Sequence, residues 1–234
     1  MALRKIELEV PMTLNDIKLH QYQKYMKVIQ QNDDDDEKTN DFLNMKLVEI
    51  FCNVSLKEVT KIPLKEYEKV LVILNKAFEE KPKLIRRFDL LDVPMGFIPN
   101  LDDMSLGEYI DIESNISDWQ KIHKAMSVLY RPVNFTSKEK YDIAPYKPNE
   151  ETQELMKQMP LDVAISSMVF FYDLGKELLE AIPKYLQKSL SKQDMQMLEA
   201  HLAKNGVGIN QFMHSLKEMS LTSTKLQTYH STSV

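Results

Sequence analysis

The stretch from Phe97 to Ser114, FIPNLDDMSLGEYIDIES, sets four carboxylates, Asp102, Asp103, Glu108 and Asp111, ahead of Glu113. Acids this dense could hold a hard cation, work as an acid–base pair, or open a helix. The third option accounts for the most residues. Ser105 stands where an N-cap accepts a backbone N–H, and Glu108, three residues later, can reach back to the cap. Asp102 and Asp103 precede the helix, where carboxylates interact favourably with its positive end. Met104 lies just before the cap, placed to staple against Tyr109 or a neighbour.

Other candidates for chemistry fall short of their templates. The run Asp33 to Glu37 suggests calcium, but an EF-hand loop needs glycine at its sixth position, and that position is Lys38. The five histidines, His20, His123, His201, His214 and His230, never stand at i, i+4. His123 falls beside an apolar face made by Trp119, Ile122, Met126 and Leu129, which reads as a packed or boundary histidine. Cys52 is the only cysteine, so an internal disulfide and a cysteine-based zinc site are excluded. No serine sits in a glycine-flanked nucleophile elbow. Paired carboxylates such as Asp111 and Glu113 are plentiful, but spacing alone does not place a pair in a pocket. The expectation is a protein without enzymatic activity, cofactor or metal.

The glycines are too sparse for a nucleotide loop. There are five, and the closest pair, Gly206 and Gly208 in KNGVGINQ, follows no strand and reads as a helix end. A net charge of −5 argues against nucleic acid as a direct specific partner. The N-terminal MALRKIELEVPM lacks the apolar core of an export signal. The apolar window AISSMVFFY has nine residues, about half of what a membrane span requires.

The elements that position these residues read mainly as α-helix. Apolar spacing predicts a helix over Leu19 to Gln31, with Leu19, Tyr22, Met26 and Ile29 on one face. A second over DFLNMKLVEIFCNV uses Phe42, Met45, Val48 or Glu49, and Cys52. A third over LKEYEKVLVILNKAFEE uses Leu64, Tyr67, Leu71, Leu74 and Phe78, with Pro63 in its first turn. Later runs are DWQKIHKAMSVLY, residues 159–190, and SKQDMQMLEAHLAKNG. The motif apolar-x-Leu-x-x-Tyr occurs as IKLHQY, IPLKEY and MSLGEY, each at a helix start; the intervening segments do not match, so no solenoid follows. In LYRPVNF, Tyr130 is expected to end a helix, Arg131 to face its negative terminus, and Pro132 to stop it. Arg131 is also a candidate to pair with Asp111 or Glu108.

Two stretches alternate with a period of two, residues 3–10 and 84–99, and are expected to pair as a small β element, with YDIAPY a third edge. The fold class is therefore mainly α, an irregular multi-helix bundle with a small β element. The expected divisions are a helical region 1–100, a second over 101–219, and a Ser/Thr-rich mobile tail over 220–234, one compact domain being the alternative. The proline-rich stretch 93–99 marks the boundary, and 131–151 a further hinge. At 234 residues the chain buries a core large enough to need no disulfides.

The segments VPMTLNDIKLHQYQKY, FIPNLDDMSLGEYIDIE and DWQKIHKAMSVLYRPV together resemble proteins of tailed bacteriophages, including the crAss-like phages of Bacteroidota. The likeness covers about residues 6 to 180. It is carried most by Ser105 to Asp111, by Trp119, by His123-Lys124 and by Leu129 to Pro132. The resemblance implies a virion-associated or assembly protein, either capsid cargo or a head–tail component. The rival reading is a tail-assembly chaperone or scaffold that is absent from the mature particle. The implied partners are other phage structural proteins or further copies of the same chain. The implied location is the host cytoplasm during assembly and then the virion. Ten tyrosines and fourteen methionines suit a protein that works by contact.

Overall fold

The structure, a computed structural model, describes residues 8–32, 37–138 and 140–174. Helix α1 spans Leu19–Gln31, as its spacing predicts. Gln21 acts at its N-terminus, its Oε1 accepting the Lys18 N–H at 2.9 Å. Leu19, Tyr22 and Met26 are buried and Ile29 is half-buried. Helix α2, Glu37–Phe51, buries Leu43, Leu47, Val48, Ile50 and Phe51. Of the expected stripe, Val48 and Cys52 are buried and Phe42 and Met45 half-buried; the buried face is broader than that stripe, and its Phe51 has Tyr25 and Phe78 as aromatic partners, at 5.4 and 5.3 Å between ring centroids. Asn53, at φ 52°, ends α2 in the left-handed region, and the Val54 N–H reaches back to the Glu49 carbonyl.

After the short α3, Leu56–Val59, helix α4 runs Leu64–Phe78. Pro63 is its N-cap, and the Pro63 carbonyl accepts from Glu66 and Tyr67. Leu64, expected inside, is 71% exposed. Full burial starts nearly two turns later, where Val70, Leu74, Ala77 and Phe78 meet the core.

A four-stranded antiparallel sheet completes a mainly α fold, in the order β1 (Arg87–Leu90), β2 (Val93–Phe97), β3 (Tyr130–Ser137) and β4 (Lys140–Ile143). The stretch 84–99 pairs with itself as the β1–β2 hairpin. Described residues 8–10 carry no strand, and residues 3–7 lie outside the described set. YDIAPY does supply the edge strand β4. The expected boundary at 100/101 falls between β2 and β3, which pair directly, Phe97 opposite Tyr130.

The expected helix over 118–130 is shorter. Helix α6 is Ile122–Leu129, and Tyr130 opens β3 instead of ending the helix. The Leu129 carbonyl, which a helix end leaves open, accepts the Ile98 N–H at 2.9 Å, so the end of β2 captures the chain into the sheet. Arg131 accordingly lies in a strand opposite Gly96. Between β2 and β3 sits helix α5, Leu106–Ile116, which packs on α6.

The chain closes on itself through residues 17–19 and 159–161. The Leu19 N–H donates to Met159 O and the Leu161 N–H to Ile17 O, both at 2.9 Å. Helix α7, Glu150–Leu155, precedes this clasp, and α8, described over 161–174, follows it. In α8, Ser166 and Ser167 are fully buried and return their hydroxyls to the Val163 carbonyl. Tyr130 reaches across to this helix, its hydroxyl lying 2.7 Å from both Ile85 O and Ser167 Oγ. The expected helix from 191, the glycine pair and the tail 220–234 lie outside the described residues.

Candidate functional site

Helix α5 is where most of the residues singled out from sequence meet. Before it, Asn100 fixes a short 3-10 turn: its Oδ1 accepts the Asp102 N–H and its Nδ2 donates to Asp103. Ser105 then caps α5. Its N–H and hydroxyl both donate to Glu108 Oε2 at 2.7 Å, and the Glu108 N–H returns to Ser105 Oγ at 3.3 Å. The cap read from the sequence is therefore present in full.

The other oxygen of Glu108 meets Arg131 Nη2 at 2.9 Å, and both side chains are largely buried. Of the two acids weighed for Arg131, Glu108 is the one it pairs with. Burial alone would push the Glu108 carboxyl up, but the two Ser105 bonds and the Arg131 guanidinium outweigh it and hold the group below its ordinary value. Asp111, one turn further, accepts the Tyr146 hydroxyl at 2.6 Å. Burial, followed by that bond to Asp111, drives the Tyr146 phenol well above its usual range.

A half-open cavity of about 480 Å³ lies between the start of α5 and β3–β4, walled in part by Asp103, Ser105, Glu108, Arg131, Tyr141 and Tyr146. Most of its polar wall is already engaged. Glu108 is held by Ser105 and Arg131, Tyr146 by Asp111, and the Tyr141 hydroxyl donates to Phe97 O at 2.6 Å. Buried Arg131 Nε has no partner among the described residues. Tyr141 and Tyr146 belong to this site without having been singled out for it. Their hydroxyl partners lie 44 and 35 residues away in sequence, so no local spacing marks them.

The opposite side of α5 faces solvent. Leu106 is 75% exposed, and Tyr109 and Ile110 are each 50% exposed. Positions i, i+3 and i+4 share one face of a helix, so these three form a continuous apolar stripe. The buried side is built from Glu108, Ile112 and Ile116.

Trp119 and His123 stand apart from this site, in the core between α1 and α6. Trp119 packs edge-on against Tyr22 at 4.7 Å. Gln23 of α1 donates through Nε2 to the Trp119 carbonyl at 2.8 Å and lies 3.1 Å from His123 Nδ1. If Gln23 donates to Nδ1, the imidazole proton sits on Nε2, which faces Glu154 at 3.5 Å. Burial lowers the His123 pKa, Lys157 adds to this, and Glu154 opposes it. Gln23 is the residue that spacing could not find, because it acts 100 positions from His123.

The remaining candidates are placed as follows. Cys52 is buried, and burial pushes its thiol up to about 11, away from nucleophilic use near neutral pH. His20 Nδ1 lies 3.1 Å from the Lys157 carbonyl. Asp33 to Asp36, His201, His214 and His230 lie outside the described residues. Among the described residues no three His, Cys, Asp or Glu side chains group to hold a metal, and no helix is long and apolar enough to cross a membrane. Comparison with known proteins gave no matching family model, no matching curated protein and no matching solved structure.

Proposed function

We propose that this chain is a bacteriophage virion-associated or assembly protein that acts through protein–protein contact, as capsid cargo or a head–tail component. The observation that carries the contact reading is the solvent-facing stripe Leu106, Tyr109 and Ile110 on α5. Apolar side chains gathered on one helix face are a common mark of an interaction surface, and tyrosine suits such a face because it buries area while keeping a polar end. The phage setting rests on the resemblance carried by Ser105 to Asp111 and by Trp119 to Pro132.

The test is mass spectrometry of gradient-purified particles of the encoding phage, with copy number measured against the major capsid protein. Stoichiometric presence is the expected result. Abundance in infected cells with absence from particles would transfer the reading to the assembly chaperone. Absence from both would sink it.

A further inference from the structure

We infer that the α5 stripe receives a basic amphipathic helix of a partner protein, an assignment that rests on the contact reading above. The argument is the charge around the stripe. Residues 88–120 contain eight Asp or Glu and no Lys, Arg or His, although the whole chain carries only −5. Two of these acids are neutralised locally, Glu108 by Arg131 and Asp118 by Lys121 at 3.6 Å. Asp102, Asp103, Asp111 and Glu113 have no cation within ion-pair distance among the described residues. Asp103 and Asp111 are turned to the cavity side, but exposed Glu113, three residues after Ile110 and four after Tyr109, shares the stripe's face, and exposed Asp102 lies in the turn that leads into α5, so the apolar stripe is bordered by negative charge that no ion pair offsets among the described residues.

That border selects the occupant. Phosphate backbones and anionic lipid surfaces would be repelled. A second copy docking symmetrically, α5 on α5, would bring the same carboxylates together, and like charges across an interface disfavour the pairing. A helix with a Leu/Ile stripe flanked by Lys or Arg meets both requirements, laying its apolar face on Leu106, Tyr109 and Ile110 while its cations face the acids. Helix α5 is 11 residues long, about 16 Å, so the partner contributes about three turns.

The test uses the full chain and three fluorescein-labelled synthetic peptides: an amphipathic Leu/Lys helix, the same helix with Glu for Lys, and the Leu/Lys composition scrambled to remove the stripe. Anisotropy is measured at low and high salt. The Leu/Lys helix is expected to bind at least about tenfold more tightly than either control, with affinity falling as salt rises. The doubly substituted Leu106→Ser/Ile110→Ser chain should lose about tenfold of that affinity. Both positions are solvent-facing, so folding should be retained, which circular dichroism checks.

Equal binding of the Lys and Glu helices would overturn the basic partner while leaving the contact surface standing. Concentration-dependent self-association abolished by Leu106→Ser/Ile110→Ser would overturn it in favour of a second copy. No peptide binding, together with unchanged particle incorporation of the same double variant, would remove the contact surface as well.

Discussion

Arg131 Nη2 lies 2.9 Å from Glu108 Oε1, and this one ion pair joins the second residue of β3 to the first turn of α5. The pair makes the cap, the strand and the cavity wall a single electrostatic unit. Glu108 satisfies the Ser105 N–H and the Arg131 charge with different oxygens, so neither partner competes for the other's acceptor.

Arg131→Met should therefore cost about 3 kcal/mol, because it strands a buried carboxylate. Glu108→Gln/Arg131→Met, which removes both charges, should be less destabilised than the two single costs added together. Urea unfolding followed by the fluorescence of the only tryptophan, buried Trp119, measures all three variants. Strict additivity would mean that the pair contributes no coupling.

Acid should act on the fold in two windows. The depressed His123 pKa means the unfolded chain takes up a proton first, so stability falls as pH drops below about 6.5. The groups that set this value are buried His123 itself, Lys157, Glu154 and Lys124. His123→Asn should flatten stability between pH 7 and 5.5. Glu108 is likewise depressed, so its contribution is present above about 4.5 and is lost below that. Unfolding midpoints across pH, for wild type and variant, check both windows.

Gly96→Ala should destabilise by about 1–3 kcal/mol. A Cβ at position 96 would stand 2.6 Å from the Tyr141 ring and 3.0 Å from Ile143 Cγ2. The ring cannot simply swing away, since its hydroxyl is tied to Phe97 O. Gly96→Ala combined with Tyr141→Ala should cost less than the sum of the two single changes; an additive double variant would refute the steric account.

The β1–β2 turn offers the opposite sign. Leu91 and Asp92 are its two central residues, with φ 49° and 65°, the left-handed pair of a type I′ turn. Leucine is a poor occupant of that region, and it is 64% exposed there. Leu91→Asn should raise stability by about 0.5–1 kcal/mol and leave strand register unchanged. Thermal melting and the amide NMR spectrum report the two halves of that statement.

Legibility from sequence followed the range of the interaction. The Ser105–Glu108 cap was readable because its partners lie three residues apart, and α1 because its apolar residues recur every three or four. The β1–β2 turn was not readable as a turn type, since Leu91-Asp92 lacks the Asn-Gly or Asp-Gly signature. Pro132 read as a helix stop, yet it sits in β3, where its carbonyl accepts the Ala144 N–H and the irregularity at Val133–Phe135 follows. Leu64 read as core from its spacing, but the packing that decides burial comes from Tyr22 and Phe51, far away in sequence. The cavity assembles three separate segments and had no local trace.

The clasp between residues 17–19 and 159–161 also sets an order of manufacture. Ile17 and Leu19 leave the ribosome long before Met159 and Leu161 are made, so their sheet-like partners do not yet exist. Until then α1, with Leu19, Tyr22 and Met26, has only its earlier neighbours to cover it. Tyr130 waits in the same way for Ser167. The newly made chain thus holds an unfinished apolar seam through most of its synthesis, and contacts made late close what was laid down first.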